Sequence, residues 1–302
     1  MQTQSEIRKM LRAAGISPRR RRGQRFLIDR NLMGRLLELA DVPENATVLE
    51  IGAGTGSLTE ELLKVSGRVV AVEVDRRLAK LLRERLGERS KLELIITDAL
   101  ASKHALAPEV LKAAGARAYL VSNLPYAVAT PVVVECLLSS WRAASRTEPG
   151  ASLFERLTFT VQQEVAERII APPGGGGYGP VSVLVALLGA ARCGPAVPAS
   201  AFWPRPKVAS RIVRIDFDAE RAPFVPVDEL LALLSAAFSQ RRKQIGSLLH
   251  RKDLPHRRED LCAAFRTARI DPALRPQQVS PEGFCALARA LVTARGSADR
   301  TA

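Results

Sequence analysis

The chain is poor in the residues that most often announce a metal, a disulfide framework or a membrane. Its four cysteines, Cys136, Cys193, Cys262 and Cys285, lie far apart with no C-x-x-C pair. Its three histidines, His104, His250 and His256, are equally scattered, so neither a zinc site nor a set of disulfides is indicated. No apolar run approaches the roughly 18 to 20 residues needed to span a bilayer, and the N-terminus lacks the hydrophobic region of a signal peptide. These absences predict a cytoplasmic protein with reduced thiols, no membrane contact and no metal. Acidic residues are few as well: 31 Asp and Glu stand against 45 Lys and Arg, giving a net charge of +14. That excess favours a polyanionic partner, nucleic acid first, the alternative being a surface that is basic but inert.

What is present is an apolar run that stops at alternating glycines. With 302 residues, 47% of them hydrophobic, there is room for one large domain and a small one. The organising stretch is Val48-Leu49-Glu50-Ile51-Gly52-Ala53-Gly54-Thr55-Gly56-Ser57-Leu58, which reads as strand, tight turn and helix. Glycine at 52 and 54 lets a ligand approach the backbone and permits positive φ. Arg68 to Val72 reads as the next strand, with Glu73 at its carboxyl end, where a carboxylate accepts hydrogen bonds from both hydroxyls of a ribose. Glycine turn plus acidic strand end points to a nucleoside-containing cofactor. A dinucleotide turn would carry its third glycine at 57, where this chain has Ser, and Glu50 would repel a diphosphate. The E-x-G-x-G-x-G pattern instead resembles the S-adenosylmethionine loop of class I methyltransferases, whose ligand carries a sulfonium and no phosphate.

Leu92 to Thr97 reads as a third strand that ends at Asp98. This carboxylate is either an ordinary strand-end cap or an acceptor for an exocyclic adenine amine. Ala118 to Ser122, the fourth strand, delivers Asn123-Leu124-Pro125-Tyr126. An adenine amino nitrogen is a poor nucleophile because its lone pair is delocalised into the ring. Carbonyl acceptors placed around it hold both N–H bonds and favour a pyramidal nitrogen aimed at a methyl group. Asn123 supplies a side-chain oxygen and Leu124 a backbone one, Pro125 fixes the turn and restricts Leu124 to extended geometry. Tyr126 offers a flat face on which a base stacks, worth about 1 to 3 kcal/mol.

The Asn-Leu-Pro-Tyr turn resembles that of ribosomal RNA adenine dimethyltransferases, and the likeness covers most of the chain. Gly23-Gln24-Arg25-Phe26-Leu27 is similar to the family's G-Q-N-F-L, with Arg25 where Asn is usual, and Ala53 replaces a common Pro in the glycine loop. Gln162 to Arg168 resembles its Q-K-E-V-A-x-R helix and Tyr178 to Ser182 its Y-G-x-L-S turn. Phe202 to Val208 resembles F-x-P-x-P-K-V, and Phe238-Ser239-Gln240-Arg241-Arg242-Lys243 resembles F-x-Q-R-R-K. The resemblance implies a class I, Rossmann-like α/β fold, a seven-stranded mixed sheet between helices, with a small all-helical C-terminal domain. It implies S-adenosylmethionine held by Gln24, Arg25, Leu27, Gly52, Gly54, Glu73, Asp98, Ala99 and Asn123. The reacting base would meet Asn123, Leu124, Pro125, Tyr126 and Phe202, the last as a second stacking face. By itself an aromatic in a proline-rich loop is more often packing. The implied substrate is small-subunit ribosomal RNA in a partly assembled 30S subunit, methylated on two adjacent adenosines by a monomer.

The rest of the chain divides accordingly. Residues 1–25 read as a basic arm with a short helix from Ser5 to Ala14 and the run Arg19, Arg20, Arg21, Arg22, either solvated or phosphate-binding. Residues 26–218 read as the catalytic domain, with a helix from Leu32 to Ala40 capped by Asp29 or Asn31 and strands at 157–162 and 210–216. Ser139 to Leu153 reads as a surface loop and Pro172 to Gly177 as an irregular one, a phosphate cradle being the sharper reading of the latter. Residues 219–295 read as a helical domain whose Arg241, Arg242 and Lys243 contact RNA phosphates or simply face solvent, and 296–302 as a tail.

Overall fold

The computed structural model describes residues 1–18, 24–221, 225–251 and 254–298, and the run Arg19 to Arg22 lies outside the described residues. The chain forms two compact units, Met1–Ala166 with Ala190–Ala219 and Glu167–Gly189 with Glu220–Ala302. Residues 167–189, which the sequence reading leaves inside the catalytic segment, fall with the second unit.

The chain opens with α1 (Gln4–Ala13), β1 (Phe26–Leu27), α2 (Arg30–Ala40), β2 (Thr47–Ile51), α3 (Ser57–Val65), β3 (Arg68–Val72), α4 (Arg76–Leu86) and β4 (Leu92–Ile95). Two short strands, β5 (Leu100–Ser102) and β6 (Ala105–Leu106), pair with each other ahead of α5 (Pro108–Ala114), β7 (Arg117–Asn123), α6 (Ala129–Ser145) and β8 (Leu153–Gln162). After α7 (Gln163–Ile169) and α8 (Pro180–Leu188) come β9 (Gly189–Val197), β10 (Phe202–Trp203) and β11 (Ser210–Phe217). The described helices that follow are α9 (Val227–Ser239), α10 (Arg258–Thr267) and α11 (Pro281–Ala298).

Seven strands form one sheet in the order β4-β3-β2-β7-β8-β11-β9. From β4 through β8 neighbouring strands are parallel, and β11 runs antiparallel to β8. The expected mixed seven-stranded sheet is therefore present. Its central strands are covered on both faces, and Val48, Leu49, Val69, Val70, Leu120 and Val121 are buried, as a parallel sheet requires. β2 has β3 on one side and β7 on the other, so the chain leaves it in one direction and returns on the opposite side. That reversal opens a crevice beyond the carboxyl ends of β2 and β7, where open α/β sheets bind ligands.

Several expectations change. Within the segment read as a basic arm, α1 is closed by a capping box between Thr3 and Glu6, and Ile7, Leu11 and Ile16 pack in one buried cluster with Phe26 and Leu78. The expected loop from Ser139 is largely helix, because α6 continues to Ser145. The Ser139 hydroxyl donates to the Ser152 carbonyl at 2.8 Å and that of Ser140 to the Cys136 carbonyl at 2.9 Å, so both serines sit inside without orphaned hydroxyls. β8 correspondingly starts at Leu153, and β4 ends at Ile95 rather than at Thr97. The sheet's last strand, β9, has no apolar signature, since Gly194 and Pro195 interrupt it. It lies at an edge, where proline is tolerated.

In the second unit the two motif aromatics meet. Tyr178 and Phe238 lie 6.1 Å apart edge to face, Phe238 packs on Phe284 at 5.6 Å, and the Tyr178 hydroxyl donates to the Val279 carbonyl at 3.0 Å. The glycine-rich stretch is a turn whose Gly174 N–H donates to the Gln277 carbonyl at 2.6 Å, while the Gly175 N–H donates to the Pro172 carbonyl at 3.0 Å. Two of the N–H groups a phosphate cradle would need are thus committed. Helix α11 continues through Gly296 to Ala298, past the expected start of the tail.

Candidate active site

The crevice beyond β2 and β7 is a cavity of about 400 Å³ within the first unit, a size suited to a small cofactor. Its floor is the glycine turn. Gly52 has φ +79°, and a Cβ there would lie 2.9 Å from Cγ of Pro125, so only glycine lets the Asn-Leu-Pro-Tyr turn sit this close. Gly54 has φ +59°, and a Cβ there would lie 3.0 Å from the Phe26 ring. The Gly52 N–H donates to the Val72 carbonyl at 2.8 Å, which ties the turn to β3.

Charge on this wall is carried by carboxylates. Glu73 follows β3 and is 5% exposed. One of its oxygens accepts from the Gly54 N–H at 2.8 Å and the other from the Asp75 N–H at 2.9 Å. Burial pushes its pKa up although both backbone bonds favour the ionised form. Each oxygen keeps a lone pair for a ligand hydroxyl. Glu50, at 2% exposure, accepts from the Thr59 hydroxyl at 2.6 Å, and burial pushes its pKa up to about 8. Asp98 is exposed at the rim, where one oxygen accepts from the Leu100 N–H at 3.0 Å. Asp98 thus caps its own turn and also lines the cavity.

The opposite wall carries no carboxylate among the described residues. Asn123 ends β7, and its Nδ2 donates to the Arg25 carbonyl at 2.8 Å while its Oδ1 accepts from the Thr160 hydroxyl. A carbonyl oxygen only accepts, so the bond to residue 25 decides which end of the amide faces it and leaves Oδ1 on the other side. Because that partner is main chain, the change from Asn to Arg at position 25 leaves this contact in place. Leu124 is 1% exposed and Pro125 leans on Gly52. The Tyr126 hydroxyl shares a 2.6 Å hydrogen bond with the Ser210 hydroxyl.

Gln24, Arg25, Leu27, Gly52 and Gly54 all line the cavity, as do Glu73, Asp98, Ala99 and Asn123. Leu124, Pro125 and Tyr126 line it too, whereas Phe202 does not. Phe202 is 2% exposed, pairs with Leu27 across β1 and β10, and packs among Met33, Leu36 and Ile212 in the core. The structure therefore corrects the expected second stacking face: the ring is taken up by packing between β10 and α2. Arg241, Arg242 and Lys243 are exposed in the second unit, and Arg241 donates to the Gly176 carbonyl at 2.9 Å.

Sequence reasoning missed the supports behind the site. Gln2 donates to the Thr55 carbonyl at 3.1 Å and accepts from the hydroxyls of Thr55 at 2.6 Å and Ser57 at 2.9 Å. Arg85 donates to the Thr55 and Gly56 carbonyls at 3.0 and 2.6 Å. Thr160 and Ser210 back the Asn-Leu-Pro-Tyr turn. None of the four stands in a motif, and only the fold brings them to the cavity.

The donor set fits S-adenosylmethionine. Glu73 and Asp98 line the cavity together with Glu50, which its raised pKa keeps mostly protonated at neutral pH, and such a lining suits a ligand with cationic groups and ribose hydroxyls rather than a diphosphate. Arg25 adds a cation to the lining, and its Nε is buried without a hydrogen-bond partner.

Comparisons with known proteins agree with this geometry. The family model described as "Ribosomal RNA adenine dimethylase" matches residues 16–291. A protein of Phenylobacterium zucineum named "Ribosomal RNA small subunit methyltransferase A" is 39% identical over 98% of this chain and 95% of its own length. One of the same name from Opitutus terrae is 38% identical over 94% and 97%. Among solved structures, a dimethyladenosine transferase from Plasmodium falciparum superposes with a TM-score of 0.69 at 22% identity, covering 89% of this chain and 98% of its own. The 23S rRNA methyltransferase ErmE does so with a TM-score of 0.59 at 27% identity, covering 88% and 99%. The glycine turn, the acidic strand end and the Asn-Leu-Pro-Tyr turn thus stand in a chain that belongs to the ribosomal RNA adenine dimethylase family.

Proposed function

We propose that the protein transfers methyl groups from S-adenosylmethionine to N6 of two adjacent adenosines near the 3′ end of small-subunit ribosomal RNA, two to each, as a step in small-subunit biogenesis. The reading adds that it acts as a cytoplasmic monomer on a partly assembled 30S subunit. Among the described residues no helix is long and apolar enough to cross a membrane.

The observation that carries the reading is the orientation of Asn123, whose amide is tied to the Arg25 carbonyl beside the glycine turn. The bound cofactor supplies a methyl group activated on a sulfonium. Glu73 and Asp98 hold its nucleoside, and Gly52 and Gly54 give it access to the backbone. Oδ1 of Asn123 and the Leu124 carbonyl accept the two N6–H bonds of the adenine and orient its nitrogen lone pair. Tyr126 stacks on the base and offsets part of the few kcal/mol needed to unstack it. The alkylated amine is acidic enough to lose its proton to water, so no general base is required.

RNA affinity rests on phosphate contacts, for which the exposed Arg241, Arg242 and Lys243 are candidates. If about six such contacts form, the slope of log affinity against log salt is about −4 to −5 on single-stranded or looped RNA. Replacing Arg242 and Lys243 by Ala is expected to flatten that slope by about one to two.

Incubation with labelled S-adenosylmethionine, separately purified small- and large-subunit RNAs and undermethylated 30S subunits, followed by nucleoside mapping, tests the assignment. Dimethyladenosine at two neighbouring positions near the small-subunit 3′ end is the expected result. Label confined to large-subunit RNA would overturn it in favour of an antibiotic-resistance type of methyltransferase. RNA binding with no transfer to any substrate would favour a non-catalytic assembly or transcription factor.

A further inference from the structure

Two buried hydroxyls stand directly behind the catalytic turn, one at each end. Thr160 lies on β8 opposite Asn123 in the parallel pairing of β7 with β8, and it is fully buried. Its hydroxyl donates to Oδ1 of Asn123. Ser210 begins β11 opposite Gln162 of β8, is also fully buried, and bonds the Tyr126 hydroxyl at 2.6 Å. We propose that Thr160 and Ser210 are positioning residues for methyl transfer, holding the acceptor oxygen and the stacking ring of the Asn-Leu-Pro-Tyr turn from the adjoining strands.

Asn123 has an amide whose end and plane must both be fixed. The Arg25 carbonyl fixes which end of the amide is Nδ2, but a single bond leaves the amide plane free to rock about χ2, whose well is broad. A second bond to the opposite end removes that freedom. With Nδ2 committed to Arg25, the Thr160 hydroxyl has Oδ1 to donate to. It takes one of the two lone pairs and leaves the other for an incoming N–H. The two bonds together set the direction of the remaining lone pair. At the far end Tyr126 could likewise turn about its own side-chain bonds, and a hydroxyl bond to the buried Ser210 pins the ring where Pro125 has placed its backbone. Both supports come from strands of the sheet rather than from loops, which is the arrangement that holds a site within a fraction of an ångström.

The proposal rests on the functional reading above, and its test separates the two. Thr160→Val keeps the shape and removes the hydroxyl, and Thr160→Ser keeps the hydroxyl and removes the methyl. Under single turnover at saturating cofactor, Thr160→Val is expected to transfer methyl groups about tenfold more slowly, a typical cost of a misplaced reacting group. Cofactor affinity should stay within about twofold, and Thr160→Ser should recover most of the rate. The side-chain amide resonances of Asn123 should move and broaden in Thr160→Val and stay near the parent in Thr160→Ser. Ser210→Ala and Tyr126→Phe should slow transfer by a similar few-fold factor, and the double variant by no more than either alone.

Full rate in Thr160→Val, equal losses in Thr160→Val and Thr160→Ser, or a loss of cofactor affinity that matches the loss of rate would each overturn the assignment of Thr160. Additive losses in the second pair would overturn that of Ser210. Should the parent protein transfer no methyl group to any RNA, the functional reading fails. The Asn123 resonances, recorded without substrate, would still decide whether the Thr160 hydroxyl fixes the Asn123 amide, and unmoved resonances in Thr160→Val would overturn that role whatever the activity.

Discussion

On the glycine-turn wall of the cavity, Glu50 and Glu73 are buried carboxylates steadied by Thr59 and by the N–H groups of Gly54 and Asp75. On the other wall, Asn123 and Leu124 present uncharged oxygens, steadied by Arg25 and Thr160. The two walls meet where Pro125 leans on Gly52. Negative charge suits a cofactor that is itself cationic, and its burial carries a cost that only an opposite charge relieves. Neutral acceptors suit an adenine amine, which is uncharged and must be oriented rather than neutralised. A carboxyl group at position 123 would add a further acidic group to a cavity already lined by Glu50 and Glu73, and each would raise the pKa of the others. The difference between the walls is therefore a division between holding by charge and orienting by direction.

The largest expected effect breaks the orienting wall. Asn123→Ala removes the acceptor assigned to the adenine amine and leaves the Arg25 carbonyl and the Thr160 hydroxyl without their partner. Methyl transfer should fall by about 10³-fold or more, the scale seen when a preorganised hydrogen-bonding group is lost from a reacting centre. RNA affinity should remain within about twofold, since phosphate contacts elsewhere dominate it. Rapid-quench transfer assays beside filter binding measure both, and a near-parent rate would remove Asn123 from the mechanism.

The next prediction tests whether the walls are mechanically joined. Gly52→Ala places a methyl 2.9 Å from Cγ of Pro125 at a φ of +79°, a conformation that costs an L-residue about 1 to 2 kcal/mol before any clash. The strain is expected to weaken cofactor binding by about 10- to 100-fold and also to slow transfer at saturating cofactor, because Pro125 must move and carries Leu124 with it. Calorimetric titration and single-turnover rates read the two effects separately. A loss of affinity alone would mean that the walls act independently.

How far the sequence reveals this site follows from which contacts are local. The glycine turn, Glu73 and the Asn-Leu-Pro-Tyr turn are each encoded within a few residues at a strand end, so motif and periodicity locate them. Thr160, Ser210, Gln2 and Arg85 reach the site through pairings 30 to 84 residues apart in sequence, and no local pattern marks them. The sheet shows the same limit. β2, β3 and β7 are legible as apolar runs because both their faces are buried. β9, an edge strand broken by Gly194 and Pro195, carries no such run and goes unseen. Phe202 fails for a different reason: its motif places it correctly in the chain, while the packing of β10 against α2 takes its ring into the core.

The smallest effect sharpens the charged wall and depends on pH. Glu50 is fully buried and its pKa is raised to about 8 chiefly by burial, with Glu73 adding to the shift and Thr59 and Arg85 opposing it. A carboxyl group raised in the folded state is protonated in both states below its unfolded pKa near 4.5, where its contribution to stability is fully present. As pH rises toward 8 the unfolded chain ionises and the folded one resists, so stability is lost across that window. A cationic ligand beside Glu50 has the opposite preference, because it favours the ionised form. Its binding should therefore release a proton below about pH 8, and its affinity should rise with pH from 6 to 8 by less than the tenfold per unit that one full proton would give. Glu50→Gln removes the titrating group. The variant is expected to bind cofactor with little pH dependence, more weakly than the parent at pH 8 and by a smaller margin at pH 6. It should also melt higher than the parent at pH 8 in the ligand-free state. Titration calorimetry in buffers of different ionisation enthalpy counts the protons, and an unchanged proton count in the variant would show that the titrating group on this wall is Glu73 rather than Glu50.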